Sequence, residues 1–118
     1  MSFEVYGIPN CGTCKKACQW LTAQGIEYSF VNYREDPPSV SSISAWVAQL
    51  GTKALKNTSG QSYRQLGPER QDWSDEQWIQ AFAHDPMLIK RPVIVKDQEA
   101  IAAGFRLKEA DLKRKLGI

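Results

Sequence analysis

The chain has 118 residues with 15 Lys and Arg against 13 Asp and Glu, a formal net charge of +2, and is 42% hydrophobic and 24% charged. A single domain of this size buries about two-thirds of the surface its unfolded chain exposes and folds without disulfide staples or a structural metal, which excludes two independent domains. The charge is too small for the basic face that nonspecific nucleic-acid binding requires, and no apolar run approaches the roughly 18–20 residues that span a bilayer.

Phe3-Glu4-Val5-Tyr6 predicts a first strand, ended by Gly7 and Pro9. Cys14, Ala17, Cys18 and Leu21 then recur at helical spacing, predicting a helix over 13–24 stopped by Gly25. Glu27 to Tyr33 predicts a second strand, which a helical connection makes parallel to the first. After Asp36-Pro37-Pro38 the stripe Ile43, Trp46, Val47, Leu50 predicts a helix closed by Gly51. Lys56 to Gln61 is polar, contains Gly60 and reads as an exposed loop leading into Tyr63-Arg64-Gln65-Leu66. Ser74 with Gln77 forms a capping-box pattern ahead of Trp78, Ala81 and Phe82, and Asp85-Pro86 ends that helix. Arg91 to Val95 predicts a third strand, Asp97-Gln98 a turn and Ala100 to Ala103 a short fourth strand ending at Gly104. A last helix is expected from about Lys108 to Leu116, burying Ala110, Leu112 and Leu116 and stopped by Gly117. Without the helical block at about 36–90 the order is βαβ then ββα. That is the thioredoxin/glutaredoxin-like order: one α/β domain over 1–118, a four-stranded mixed sheet with an inserted helical subdomain.

All three cysteines fall within Cys11 to Cys18. Cys11-Gly12-Thr13-Cys14, between a strand and a helix of a βαβ unit, reads as a redox motif. The alternatives are half of a zinc site completed by Cys18, His84 or carboxylates, and a purely structural pair. Redox chemistry needs a thiolate, so the thiol pKa of about 8.5 must fall toward neutrality; two units correspond to about 2.7 kcal/mol. A helix N-terminus supplies about 0.3–1 kcal/mol and at most about 2. The first-turn N–H groups, with Lys15 or Lys16, are expected to supply the remainder. Cys11, at the helix start, is expected to face solvent and attack, and Cys14, on the apolar stripe, to resolve. Cys18 lies about 10.5 Å along the helix from Cys11 and reads as a small buried hydrophobe. His84 and Lys113-Arg114-Lys115 read as residues that complement helix C-termini. The N-terminus Met1–Val5 lacks the basic and apolar regions of a secretory signal, so a cytoplasmic location with no membrane association is expected.

Tyr6-Gly7-Ile8-Pro9-Asn10-Cys11-Gly12-Thr13-Cys14-Lys15-Lys16-Ala17, with Trp20-Leu21, Gly25-Ile26, Tyr63-Arg64-Gln65-Leu66, Ile89-Lys90-Arg91-Pro92-Val93-Ile94 and Gly104-Phe105, resembles the arsenate reductase/Spx/YffB-like family. The resemblance implies the thioredoxin-like fold, a cis bond at Arg91-Pro92 beside the reactive cysteine, and no bound cofactor. In the family's arsenate reductases one cysteine, matched by Cys11, attacks arsenate and is resolved by glutathione, while three arginines hold the oxyanion. Arg91 and Arg106 match two of them, and the third falls on Asn57. The family's His and Asn ahead of the cysteine are replaced by Gly7 and Ile8. The Spx branch keeps both cysteines as a redox switch and binds the RNA polymerase α-subunit. The YffB type implies a glutathione-linked thiol reductase. The expectation is a monomeric thiol-disulfide redox protein with Cys11 attacking, Cys14 resolving, and Arg91-Pro92 with Lys15, Arg64, Arg106 and Asn57 as the anion and substrate site. Its partner would be glutathione, as a co-substrate, or a protein thiol or disulfide. The alternatives are an Spx-like regulator binding the polymerase α-subunit and a glutathione/glutaredoxin-dependent arsenate reductase.

Overall fold

A computed structural model describes residues 2–105 and 109–117. The first strand, β1 (Phe3–Gly7), leads into α1 (Gly12–Ala23), and β2 (Ser29–Asn32) returns parallel to β1. The connection from β2 to β3 (Val93–Lys96) carries α2 (Val40–Leu50), two single-turn helices, α3 (Thr52–Leu55) and α4 (Gln61–Arg64), then α5 (Asp75–His84). Short 3-10 turns at Pro68–Asp72 and Pro86–Leu88 flank α5. A tight turn joins β3 to β4 (Glu99–Ala103), and α6 (Glu109–Leu116) closes the chain. The sheet order is β2-β1-β3-β4, with β3 antiparallel to both β1 and β4. Among the described residues this is the expected four-stranded mixed sheet.

Alternation along the strands divides the core in two. Phe3, Val5, Ile94 and Ala102 point to one face, where they pack with Leu21 of α1 and Leu112 and Leu116 of α6. Val93, Val95 and Ala100 point to the other, against Tyr33, Ile43, Trp46, Val47 and the Trp78, Ile79 and Phe82 face of α5. The helix boundaries follow local chemistry. The C-terminus of α1 is a Schellman closure, with the Ile26 N–H on the Leu21 carbonyl and the Gly25 N–H on that of Thr22, both at 3.0 Å, and Gly25 at φ 74°. Ser74 and Gln77 form both bonds of the capping box on α5.

Four details differ from the sequence reading. The second strand is shorter than 27–33, because Tyr33 leaves the sheet edge and turns inward to full burial. The third starts at Val93 rather than Arg91: Pro92 has no N–H to give to a ladder, although its carbonyl accepts from the Gly104 N–H at 2.8 Å. Ala110 is exposed, since it stands about 200° around α6 from buried Leu112. The stretch after Lys56 is not wholly a free loop. Lys56 bridges Ile89, the Lys90 N–H bonds the Leu55 carbonyl at 2.7 Å, and the Asn57 N–H bonds that of Leu88 at 2.8 Å. These bonds tie residues 55–57 to the approach to β3, so the helical connection bears directly on the region around Arg91.

Phe82 is fully buried between α5 and the sheet. Phe82→Ala is expected to lower the unfolding free energy by about 3–5 kcal/mol, measured as a drop in the urea midpoint with the slope unchanged.

Candidate functional site

Cys11 is the N-cap of α1, with extended backbone at φ −101° and ψ 118°. Pro9 and Asn10 turn the chain out of β1, so the first free N–H groups of α1 converge on the Cys11 sulfur, and that of Cys14 donates to it at 3.5 Å. Partial burial by itself pushes the Cys11 thiol up. Hydrogen bonds from the Cys14 N–H, the Cys14 thiol, the Arg91 guanidinium and the Thr13 N–H outweigh it and hold Cys11 below the ordinary thiol value. Cys14 is 1% exposed and behaves oppositely. Burial pushes its thiol up to about 12, the Ile8 backbone opposes this, and the hydrogen bond and negative charge of Cys11 add to it. Its sulfur lies against Gly7, where an added Cβ would stand 2.5 Å from Sγ. A histidine, or any side chain, at position 7 would displace the Cys14 thiol.

Arg91 approaches Cys11 from the segment before β3, and the Arg91-Pro92 bond is cis. Arg91 Nη1 donates to the Tyr33 hydroxyl at 3.3 Å and reaches Met87 Sδ at 3.9 Å, while Nε is buried without a protein acceptor. Burial alone disfavours the guanidinium charge, and the bonds to Tyr33 and Cys11 reverse that. A polar cavity of about 150 Å³ opens beside Cys11, which lines it with Thr13, Asn57, Ser59, Lys90 and Arg91, and with Gly104 and Phe105. Asn57 is fixed in its wall: its side-chain amide donates to the Met87 carbonyl at 3.5 Å and accepts from the Ser59 hydroxyl at 3.2 Å.

Cys11, Cys14, Asn57, Arg91 and Pro92 therefore come together. Lys15 does not: it lines a different, largely apolar cavity with Ile8, Pro9, Cys14, Cys18 and Phe30. Lys15 and Lys16 are exposed on the first turn of α1, and the cation that hydrogen-bonds Cys11 is Arg91. Arg64, on α4, is exposed and lines neither cavity. Arg106 lies outside the described residues. Cys18 is only half-buried, with its thiol beside the Tyr28 hydroxyl, rather than a buried hydrophobe. His84 is exposed at the end of α5, and among the described residues no three His, Cys, Asp or Glu side chains converge on a point that could hold a metal ion.

Three residues of the site were missed in the sequence. Tyr33 reads there as one more strand residue, Ser59 as part of a polar loop, and Lys90 only as a member of the motif around Arg91, with no role of its own. The pairing of Tyr33 with position 89 spans 56 residues and leaves no local pattern. The Tyr6–Cys14 and Ile89–Ile94 segments meet at the site where the end of β1 lies beside the start of β3, and a family model described as the ArsC family matches residues 6–111. The chain belongs to the ArsC family. Within it, the uncharacterized protein YusI of Bacillus subtilis is 37% identical, covering 90% of this chain and 92% of its own. An arsenate reductase of Acidiphilium multivorum is 31% identical over 80% of this chain and 68% of its own. The global transcriptional regulator Spx of Lactiplantibacillus plantarum is 27% identical over 93% and 83%. A crystal structure titled a possible arsenate reductase from Streptococcus mutans superimposes with a TM-score of 0.84 at 35% identity, covering 94% of this chain and 97% of that one. The ArsC-like thioredoxin fold is thus shared along nearly the whole chain, with no helix among the described residues long and apolar enough to cross a membrane.

Folding lowers the pKa of Cys11. Between the folded and unfolded values the unfolded chain holds more protons, so the reduced protein gains stability as pH rises through that interval and loses it as pH falls through the folded value. Cys14, raised to about 12, gives the opposite slope only above the unfolded thiol value. Cys11→Ser should therefore flatten the rise below about pH 8.5, which urea midpoints of wild type and variant under reducing conditions will show.

Proposed function

We propose that this ArsC-family chain is a thiol-disulfide oxidoreductase in which Cys11 is the nucleophile and Cys14 the resolving thiol, working with glutathione as its thiol co-substrate. The observation that supports it is the pairing of a partly exposed, low-pKa Cys11 at a helix start with a buried, high-pKa Cys14 three residues on. The Cys11 thiolate attacks one sulfur of a substrate disulfide, whose S–S bond breaks as the leaving thiolate takes a proton from solvent. Cys14 then gives up its proton, attacks the Cys11 sulfur and expels the second thiolate, leaving a Cys11–Cys14 disulfide. The substrate has gained two electrons and the dithiol has lost two. Two glutathione thiols restore the dithiol and leave as glutathione disulfide. Arg91, Lys90 and the Asn57–Ser59 pair would receive a substrate carboxylate in the cavity beside Cys11.

Arsenate is the weaker reading. Asn57 stands in the cavity wall at the position the family resemblance aligns with an oxyanion-binding arginine, and an amide supplies neither its charge nor its fork of donors. The likeness to Spx supports a second reading, in which the Cys11–Cys14 disulfide switches affinity for the α-subunit of RNA polymerase. Capture of the polymerase α C-terminal domain by only one redox form would favour it, and equal or absent capture would remove it.

The reduced protein, mixed with glutathione disulfide and followed by intact and peptide mass, should first carry glutathione on Cys11 and then form the internal disulfide. Cys14→Ser should stop at the mixed disulfide and Cys11→Ser should give neither product. An adduct confined to Cys18, or a Cys11 alkylation pKa at or above about 8.5, would overturn the assignment. Arsenate turnover dependent on glutathione and Cys11 would replace the disulfide with arsenate as substrate.

A further inference from the structure

The structure assigns Tyr33 a positioning role: its buried hydroxyl aims the Arg91 guanidinium at the Cys11 sulfur. This rests on Cys11 being the nucleophile. Tyr33 follows β2 and is completely buried, its N–H bonded to the Gly7 carbonyl at 3.0 Å. Its hydroxyl proton goes to the Ile89 carbonyl at 2.8 Å. A phenol has one proton, so toward Arg91 Nη1, 3.3 Å away, the oxygen can only accept. Both bonds act on the same short segment, one on its backbone at Ile89 and one on its side chain at Arg91.

The other contacts of Arg91 do not fix its direction. Met87 Sδ, at 3.9 Å, is a weak acceptor, and Nε has no protein acceptor at all. The flexible stem of an arginine otherwise leaves the guanidinium several rotamers. A neutral, immobile oxygen suits this task better than a carboxylate. A carboxylate would add a negative charge beside the Cys11 thiolate and oppose its formation, whereas the phenol stays protonated, its pKa pushed by burial to about 12. The charged or titratable groups that Tyr33 faces are Arg91, Cys14 and Cys11, and no acidic side chain is among them. A residue needed only for packing would require neither hydroxyl bond. One needed only to hold the backbone would require the bond to Ile89 alone.

The test is a double-mutant cycle read through the alkylation pKa of Cys11 in the reduced full-length chain. Tyr33→Phe keeps the ring and removes both hydroxyl bonds. It should raise the Cys11 pKa by about 0.5–1 unit, a threefold to tenfold loss of thiolate at neutral pH. Arg91→Ala should raise it at least as much. In the Arg91→Ala background, Tyr33→Phe should then change it by less than about 0.2 unit, because the tyrosine acts only through the guanidinium. No rise in the single variant, or an equal rise with and without Arg91, overturns the assignment. Should Tyr33→Phe fail to fold, nitrogen-15 spectra of the reduced wild type decide instead. Hindered rotation of the Arg91 guanidinium, seen as separate Nη signals, supports the positioning, and free rotation refutes it. Failure of glutathione disulfide as a substrate would leave these outcomes unchanged, and additivity in the cycle would leave any glutathione turnover unchanged.

Discussion

The site depends on one electrostatic constraint: an anionic sulfur at a helix start must be compensated by a cation that the fold keeps partly buried. The N-terminus of α1 contributes N–H groups at fixed distance, yet a dipole of this kind supplies at most about 2 kcal/mol. The remainder comes from the Cys14 thiol and from Arg91, which reaches Cys11 from the segment before the neighbouring strand β3. That cation can be partly withdrawn from water only because Tyr33 and the sulfur itself serve as its acceptors. The arrangement in turn needs residues 89–91 to be rigid, which the bonds from Leu55 to Lys90 and from Asn57 to Leu88 secure. The helical connection between β2 and β3 is thus part of the geometry of the cysteine site and more than a lid attached to it.

The two thiols acquire different roles from the same neighbourhood. Cys14 is disfavoured as an anion by burial first, and then by the hydrogen bond and charge of Cys11. While Cys11 is a thiolate, Cys14 stays protonated and donates to it. Once Cys11 is held in a mixed disulfide, its charge is gone and its lone pair is no longer a strong acceptor. Two of the influences that raise Cys14 would then vanish, leaving desolvation, so that in the proposed exchange the second thiol would become easier to ionise when it has to attack. Gly7 makes room for this, since the Cys14 sulfur occupies the volume that any side chain at that position would take.

The strands, α1, α2, α5 and the two-thiol motif were legible because their signals are local: alternation, helical spacing, a capping box, glycines at positive φ. The cation was misplaced for a physical reason. Lys15 and Lys16 are close to Cys11 along the chain, but a helix rotates about 100° per residue and carries them away from a sulfur at its own N-cap. Arg91 is 80 residues distant in sequence and adjacent in space. It could be anticipated only through the family resemblance and the proline that follows it. Tyr33 had no such marker, because a buried phenol bonded to a carbonyl 56 residues away looks in sequence like any strand aromatic.

The cysteine pair lies between two unlike cavities. On the α1–β2 side, Ile8, Pro9, Cys18 and Phe30 form an apolar hollow with Lys15 at its margin, and Cys14, at 1% exposure, offers it almost no sulfur surface. On the other side, Arg91 and Lys90 bring positive charge to a space of about 150 Å³ at the partly exposed Cys11 sulfur. In the proposed exchange, attack would therefore begin on the charged side. That space is about large enough for a carboxylate and far too small for a tripeptide, so most of a peptide thiol would lie outside it on the surface. Recognition would then rest on one anchored anion near the reacting sulfur rather than on enclosure. Under the proposed exchange an unenclosed site would favour small carboxylate-bearing disulfides and mixed disulfides on protein surfaces alike, because neither would have to be engulfed for its sulfur to meet Cys11.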